Sequence, residues 1–332
     1  MSRLGIVVIG RNEGERLLRC LRSLEGAGDL IYVDSGSTDG SQAAAAALGA
    51  RVVLLDMSTP FTAARARNAG IALLPAECDL IQFVDGDCIV QPGWLHVGQA
   101  ALAAAPRLGA VFGRVRELYP DASPYNWLCD VEWSVPPGPV RIFGGNAMVR
   151  RAALDAAGGY PDAMIAGEEP DLSIRMRTLG WGIECLDAEM VLHDAAMTRF
   201  GQWWRRSVRG GHACAELVDR HRASTLHGYR RSLHSMLLWG ALLPACILMA
   251  LLSGIALGSR LLLLMALAGV ALPILQTLRI SLRESRRRPW RDAIRLASFL
   301  MIAKPAGTLG AWRYWRGRLG GHRSTIIEYK SG

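Results

Sequence analysis

The chain of 332 residues contains no C-x-x-C pair, and its seven cysteines (Cys20, Cys78, Cys88, Cys129, Cys185, Cys214 and Cys246) form an odd, scattered set. That pattern excludes the usual zinc spacings and a disulfide framework, and a reducing cytoplasmic setting fits best. The opening MSRLGIVVIGRNEGE has an apolar run too short for a signal peptide and reads as a first strand. No basic stripe interleaved with aromatics appears, so the net charge of +9 does not indicate nucleic acid. The positive charge has a particular place instead. Six arginines fall between Arg279 and Arg291, directly behind two long apolar segments, which points to a membrane surface.

Residues 236–257 carry no charge, and at the helical rise they extend about 33 Å, enough for the hydrocarbon core. A tight turn at Gly258-Ser259-Arg260 precedes residues 261–278, where only Gln276 and Thr277 are strongly polar. Pro244 and Pro273 are tolerable inside membrane helices. The expectation is a transmembrane hairpin, with a buried soluble hairpin as the alternative. Arg220, Arg222, Arg230 and Arg231 before it and the cluster after it put both ends on the cytoplasmic side. Residues 292–307 are apolar over too short a run to span. They suit a helix lying in the interface, with Trp290, Trp312, Tyr314 and Trp315 at headgroup depth, or a helix packed on the catalytic domain.

The first hundred residues alternate strand and helix signals. GIVVI (5–9), LIYV (30–33), RVVLL (51–55) and LIQFV (80–84) are short apolar runs, and Leu17, Leu21 and Leu24 recur at helical spacing. Such alternation predicts an α/β domain with a mostly parallel, Rossmann-like sheet, whose ligands sit beyond the carboxyl ends of the strands. Asp34, Asp85 and Asp87 lie at those ends. Residues 105–230 are less regular, apart from a helix opening at GEEPDLSIRMRTLGW, with Pro170 suited to a first helical position and Gly180 to the stop.

Asp85 and Asp87 flank Gly86, and in an extended backbone both would project to one side. Paired carboxylates suit a hard cation such as Mg²⁺ or Mn²⁺, and glycine admits phosphates close to the backbone. A solvated turn is the plainer reading of the same three residues.

Taken in order, the motifs resemble a family 2 glycosyltransferase of the GT-A fold over roughly residues 4–215. VVIGRNEGERLLRCLRSL is similar to that family's opening strand, with Arg11-Asn12 where Tyr-Asn is usual. VDSGSTDGS (33–41) resembles its nucleotide loop, and ARARNAG (64–70) its Ala-Arg-Asn segment. VDGDC resembles its D-x-D, FGGNAMVRR its acceptor-side glycine loop, and the GEEPD helix its catalytic-base helix. The resemblance implies that Asp34 bonds the base of the nucleotide, although a turn role is open, and Asp39 is read as a turn or cap. Arg11 is expected to stack on the base, Arg67 to touch the diphosphate or to be a solvated arginine on a helix face, and Asp85 and Gly86 to flank the donor. Asp87 is the implied main metal ligand, with Asp85 as a second contact; His193 is a further ligand or a structural histidine.

Direct displacement at an anomeric carbon needs a carboxylate to take the acceptor's proton. The resemblance gives that role to Glu169, a Glu where the family has Asp, with Glu168, Gly145 and Asn146 on the acceptor side. Both acids could instead complement the helix dipole. QWWRR (202–206) partly resembles the signature of processive members, but Arg206 stands in place of the final tryptophan. Trp204 and Arg205 are therefore read as acceptor-side or membrane-surface residues.

The expected organisation is a GT-A domain over 1–230 (nucleotide-sugar half 1–100, acceptor half 101–230), a hairpin over 231–280 and a basic interfacial segment over 281–332. The expected activity is inverting transfer of a single sugar, from a nucleotide-sugar and most naturally a UDP-sugar, to a lipid-linked polyprenyl-diphosphate acceptor. It would take place at the cytoplasmic face of a bacterial inner membrane, in exopolysaccharide or related glycan synthesis, with membrane lipids and other glycan-assembly enzymes as partners. The rivals are an inactive nucleotide-sugar-binding scaffold, a sugar nucleotidyltransferase and a small transporter. GRNEGERLL poorly fits the glycine-rich basic triphosphate loop that a nucleotidyltransferase needs.

Overall fold

The computed structural model describes residues 3–222, 227–321 and 325–328. The chain forms two compact units, one over 1–199 with 324–326 and one over the remainder. Each is taken by itself.

The first unit carries the sheet. Its strands are β1 (Arg3–Gly10), β2 (Asp29–Asp34), β3 (Arg51–Leu54), β4 (Cys78–Asp85), β5 (Cys88–Val90), β6 (Leu108–Glu117), β7 (Gly138–Pro139), β8 (Ala147–Arg150) and β9 (Gly182–His193). They order as β3-β2-β1-β4-β8-β6-β9-β5, with β7 beside β9. The strands β3, β2, β1 and β4 run parallel, while β8 opposes β4 and β5 opposes β9. Helices α1 (Glu15–Arg22), α2 (Ser41–Ala47), α3 (Ala63–Leu73), α4 (Trp94–Ala104), α5 (Pro124–Trp133), α6 (Arg151–Ala156) and α7 (Glu168–Thr178) intervene. Residues 4–9 and 80–84 are buried whichever way they point, the mark of central strands covered on both faces.

The apolar runs expected as strands near 5–9, 30–33, 51–55 and 80–84 are β1 to β4. The long strands β6 and β9 lie in the stretch read as irregular. Their apolar positions do not alternate: Asp187 and Glu189 interrupt β9, and its register with β6 shifts at three places. Helix α7 opens where expected, although Pro170 is its third residue. That position costs no hydrogen bond, because first-turn N–H groups have no helical acceptor. Gly180 takes a left-handed φ of 83° just past its end.

Register positions the strand ends. Gly10 pairs with Asp34 and Ile9 with Asp85, so the loops after β1, β2 and β4 open on one edge. Phe83 pairs with Ala147 across β8, which brings Gly145 and Asn146 to the same place. Cys88 pairs with His193, which sets Asp87 beside the end of β9.

The second unit is helical: α8 (Phe200–Arg220), α9 (His227–Leu237), a π-turn over Leu238–Leu242, α10 (Leu243–Ala256), α11 (Arg260–Glu284) and α12 (Trp290–Leu319). The unit boundary thus falls at 199/200 rather than near 230, because α8 buries one face on α12. A Cβ at Gly211 would collide with the Gly307 backbone, and one at Gly310 with Val208. The expected interfacial segment 292–307 is part of this long α12. Its Ala293, Ala297 and Ala306 are buried, Phe299 meets Trp203 at 5.1 Å, and Tyr314 donates to Asp219 at 2.6 Å instead of facing outward.

Two helices, Gly228–Ala256 and Arg260–Glu284, are long and apolar enough to cross a membrane by length and composition. Leu252, Ile255, Leu267 and Ile274 stand more than half exposed on them. The π-turn directly precedes Pro244, whose missing N–H frees a carbonyl in the preceding turn.

Candidate active site at the strand ends

Three clusters assemble where β1, β2, β4, β8 and β9 end. The first is built on α3. A Cβ at Gly70 would collide with Val7, so the helix presses onto β1. Arg65 donates to the Asp56, Thr59 and Pro60 carbonyls at 2.9 Å, and Asn68 clasps Tyr160 and Asp162. Arg67, between them, points inward and is 2% exposed. One of its terminal nitrogens meets Glu168 Oε1 at 2.8 Å and Glu169 Oε1 at 3.0 Å. The other meets Asp85 Oδ1 at 3.0 Å, and the Tyr160 ring lies 5.4 Å from the guanidinium carbon.

Burial lowers the affinity of Arg67 for its proton, but Glu169, Asp85 and Glu168 more than offset it, and the group is held well above its ordinary range. The Arg67 guanidinium, expected at a diphosphate, is enclosed and engaged by three carboxylates. Gly145 is required beside this cage, since a Cβ there would overlap Asp85 Oδ2 and crowd Arg67. Asn146 accepts from the Asp85 N–H at 3.0 Å and approaches Cys88 Sγ at 3.3 Å, fixing the turn between β4 and β5.

Glu168 and Glu169 open α7 behind Gly167, which is in the left-handed region at φ 85°. Glu168 is buried, and the Glu169 side chain stays 15% exposed. Burial first, then the Glu168 charge, pushes the Glu169 carboxyl up to about 7, with Arg67 opposing the rise.

The second cluster lies one turn further. Gly86 and Asp87 form a turn, with the Gly86 N–H donating to Ile9 O at 2.8 Å. The turn breaks the extended geometry assumed for the D-x-D pair, and the two side chains part. Asp85 faces Arg67, and among the described residues the ligand atoms grouped around Asp87 come from Cys88 and His193. Asp87, 2% exposed, has Oδ2 at 3.3 Å from His193 Nε2. Asp87, Cys88 and His193 present ligand atoms within 4.8 Å of one another. The carboxylate and imidazole suit Mn²⁺. The Cys88 thiol is held protonated by burial and by Asp87 and Asp85, which makes it a poor ligand for a hard cation.

Behind His193 is Glu117, which sequence reasoning missed. Its buried carboxylate accepts from Asn126 at 3.1 Å and from the Ala195 N–H at 3.2 Å, and lies 3.8 Å from His193 Nδ1. That nitrogen is buried with no hydrogen-bond partner, and Trp133 covers the ring at 4.3 Å between centroids. The one available signal was the acid ending the apolar run LGAVFGRVRE.

The third cluster joins the loops after β1 and β2. Asn12, at φ 53°, receives the Thr38 N–H at 2.7 Å and donates its own to Ser37 at 2.9 Å, while Asp39 accepts from Gly14 and Ser41. Asp34 is buried and accepts from Tyr32, Gly36, Ser37 and Gln42 at 2.8–3.0 Å. Burial opposes its ionisation, yet these bonds hold the carboxyl below its ordinary range. Arg11 lies over the Phe61 ring at 4.6 Å. Trp204 and Arg205 lie on α8 in the second unit, where Trp204 meets Phe200 at 5.8 Å.

The family models bear directly on these clusters. The one described as glycosyl transferase family 2 matches residues 5–156, and the one described as glycosyl transferase family group 2 matches 126–276. The chain belongs to glycosyltransferase family 2. A protein described as pre-mycofactocin glycosyltransferase, from Mycobacterium tuberculosis, is 26% identical over 263 residues, covering 75% of this chain and 53% of its own. The chain thus spans about half the length of the curated relatives it matches. Among solved structures, a mannosyltransferase from Pyrobaculum calidifontis in complex with GDP-mannose and Mn²⁺ aligns at TM-score 0.55. It is 19% identical, over 92% of this chain and 87% of that one. A glucosyl-3-phosphoglycerate synthase from M. tuberculosis, with Mn²⁺, UDP-glucose and phosphoglyceric acid, aligns at 0.51 and 21% identity, over 66% and 79%. At these identities the likeness carries the fold, which is GT-A.

Proposed function

We propose that this chain is an inverting glycosyltransferase that moves one sugar from a nucleotide-sugar to an acceptor hydroxyl with the help of a divalent cation. The observation that carries the reading is Glu169: a carboxyl pushed to about 7 and left partly open, paired with the same Arg67 that holds Asp85 at the end of β4. A base poised near neutral pH suits removal of a hydroxyl proton during attack on the anomeric carbon. Glu168 and Arg67 set its charge. Gly145 and Asn146 hold the Asp85 side of the cage, and the acceptor approaches along this loop. The Asp34 loop and the flat Arg11–Phe61 pair form the nucleotide end, with Asp85 and Gly86 beside the donor. A divalent ion held by Asp87 and His193 would supply Lewis-acid neutralisation of the leaving nucleoside diphosphate.

Relatives solved with Mn²⁺ and a nucleotide-sugar support the donor class and the metal. A UDP-sugar is the first donor to test, because Arg11 leaves the nucleotide's identity unassigned. The two apolar helices support a lipid-linked acceptor, such as a polyprenyl-diphosphate glycan of exopolysaccharide synthesis, at the cytoplasmic face of an inner membrane. Trp204 and Arg205 are then candidates for the acceptor side.

The test is to incubate the full chain in membranes with a panel of nucleotide-sugars and lipid-linked acceptors, with and without EDTA. Transfer that requires Mn²⁺ or Mg²⁺ and disappears in Glu169→Gln, with donor binding retained, is the expected result. EDTA-resistant transfer would remove the metal from the reading, and wild-type turnover by Glu169→Gln would remove the base.

A further inference from the structure

The second unit holds a cavity of 480 Å³, lined by arginines from two helices and by apolar side chains. Arg279 and Arg283 lie about one turn apart near the end of α11, Arg286 follows in the turn just beyond it, and Arg231 joins them from α9. Leu275, Leu278, Ile280 and Leu282, with Gln276, complete the lining. Arg283 spends its charge on Glu284 at 3.0 Å, and Glu284 also holds Arg288 at 3.4 Å. Among the described residues, Arg231, Arg279 and Arg286 have no carboxylate partner. Three uncompensated guanidiniums around one concave space repel one another, and each presents a fork that matches phosphate oxygens. The cavity begins where the exposed apolar surface of α11 ends. Its leucines therefore face acyl chains, and its arginines lie at the depth where headgroup phosphates sit.

We propose that this cavity is a binding site for an anionic phospholipid headgroup bearing more than one negative charge, with the lipid chains along the apolar face of α11. A zwitterionic headgroup would leave the three guanidiniums unbalanced, whereas a two-phosphate headgroup such as that of cardiolipin matches them. The inference rests on the reading of the two apolar helices as membrane-inserted, and it is independent of the donor, the metal and Glu169.

The test reconstitutes the full chain in phosphatidylcholine alone, or with phosphatidylglycerol or cardiolipin added, and measures retained lipid by native mass spectrometry after extraction. Cardiolipin should be retained at least tenfold over phosphatidylcholine and more than phosphatidylglycerol. The cavity variant Arg279→Gln/Arg286→Gln should lose that preference, while Arg287→Gln/Arg291→Gln, which removes the same charge outside the cavity, should keep it. Equal loss in both variants would overturn the site in favour of diffuse charge. Displacement of cardiolipin by equimolar inorganic phosphate would overturn the lipid as the source of the phosphate. A chain that fails to float with any vesicle defeats the membrane reading itself; one that floats without lipid preference defeats only this site.

Discussion

Asp85 and Asp87 stand two residues apart on one turn, and the structure gives their carboxylates opposite surroundings. Asp85 belongs to a cage in which a buried arginine already answers three acids. Asp87 faces a histidine at 3.3 Å, with a second buried acid, Glu117, 3.8 Å from the far side of that ring. The first arrangement is internally compensated and sets the proton affinity of Glu169. The second groups a carboxylate, a thiol and an imidazole whose ligand atoms lie within 4.8 Å of one another, a set able to hold a metal ion. On the proposed reading, one acid of the D-x-D motif tunes the base and the other holds the metal.

Four measurements press on that contrast. The largest effect is expected from Glu169→Gln, which should lower transfer by about 10²–10⁴-fold while nucleotide-sugar binding, read by calorimetry, persists. Arg67→Met should be felt in stability: three acids lose their buried counter-charge, and urea unfolding should register a loss of about 3–5 kcal/mol. An unchanged midpoint would mean that the cage is not internally compensated. On the Asp87 side, Glu117→Gln removes a buried negative charge 3.8 Å from His193 Nδ1 and should weaken Mn²⁺ binding, followed by electron paramagnetic resonance of the free ion, by about 10–100-fold. Asp85→Asn should leave Mn²⁺ affinity nearly untouched, and an equal loss in both variants would erase the distinction between the two acids.

The smallest effect is a shift in pH. Transfer needs the Glu169 carboxylate, so activity should rise through about pH 7, where the group loses its proton. Glu168→Gln removes a neighbouring negative charge and should move that limb to lower pH. For stability the sign is reversed. The folded chain holds the Glu169 proton more tightly than the unfolded chain, whose value is near 4.5, so this contribution is present at low pH and is lost as pH rises through about 7.

Much of the first unit was legible in the chain. Contiguous apolar runs announced β1 to β4, and turn residues at their ends announced Asp34, Asp85 and Asp87, because a buried parallel strand needs an unbroken apolar segment and its loop needs Gly, Ser and Asp. Pairings between distant segments were not legible. Glu117 and His193 are 76 residues apart and meet only because β6 and β9 are paired. Their strands carry charges and register shifts that hide the pattern. Arg67 looked like a surface arginine on an alanine-rich helix. Only the packing of α3 on β1 turned it inward.

The sequence by itself determined which residues end the strands, which helix opens with two acids, and where two apolar segments meet a run of arginines. These are local matters, set by propensity, spacing and charge along the chain. Tertiary structure alone decided which acid answers Arg67 and which answers His193, that α8 groups with the C-terminal helices, and which arginines of the cluster share a cavity. Those outcomes depend on distances across paired strands and packed helices, and such distances are fixed only when the whole unit closes around its core.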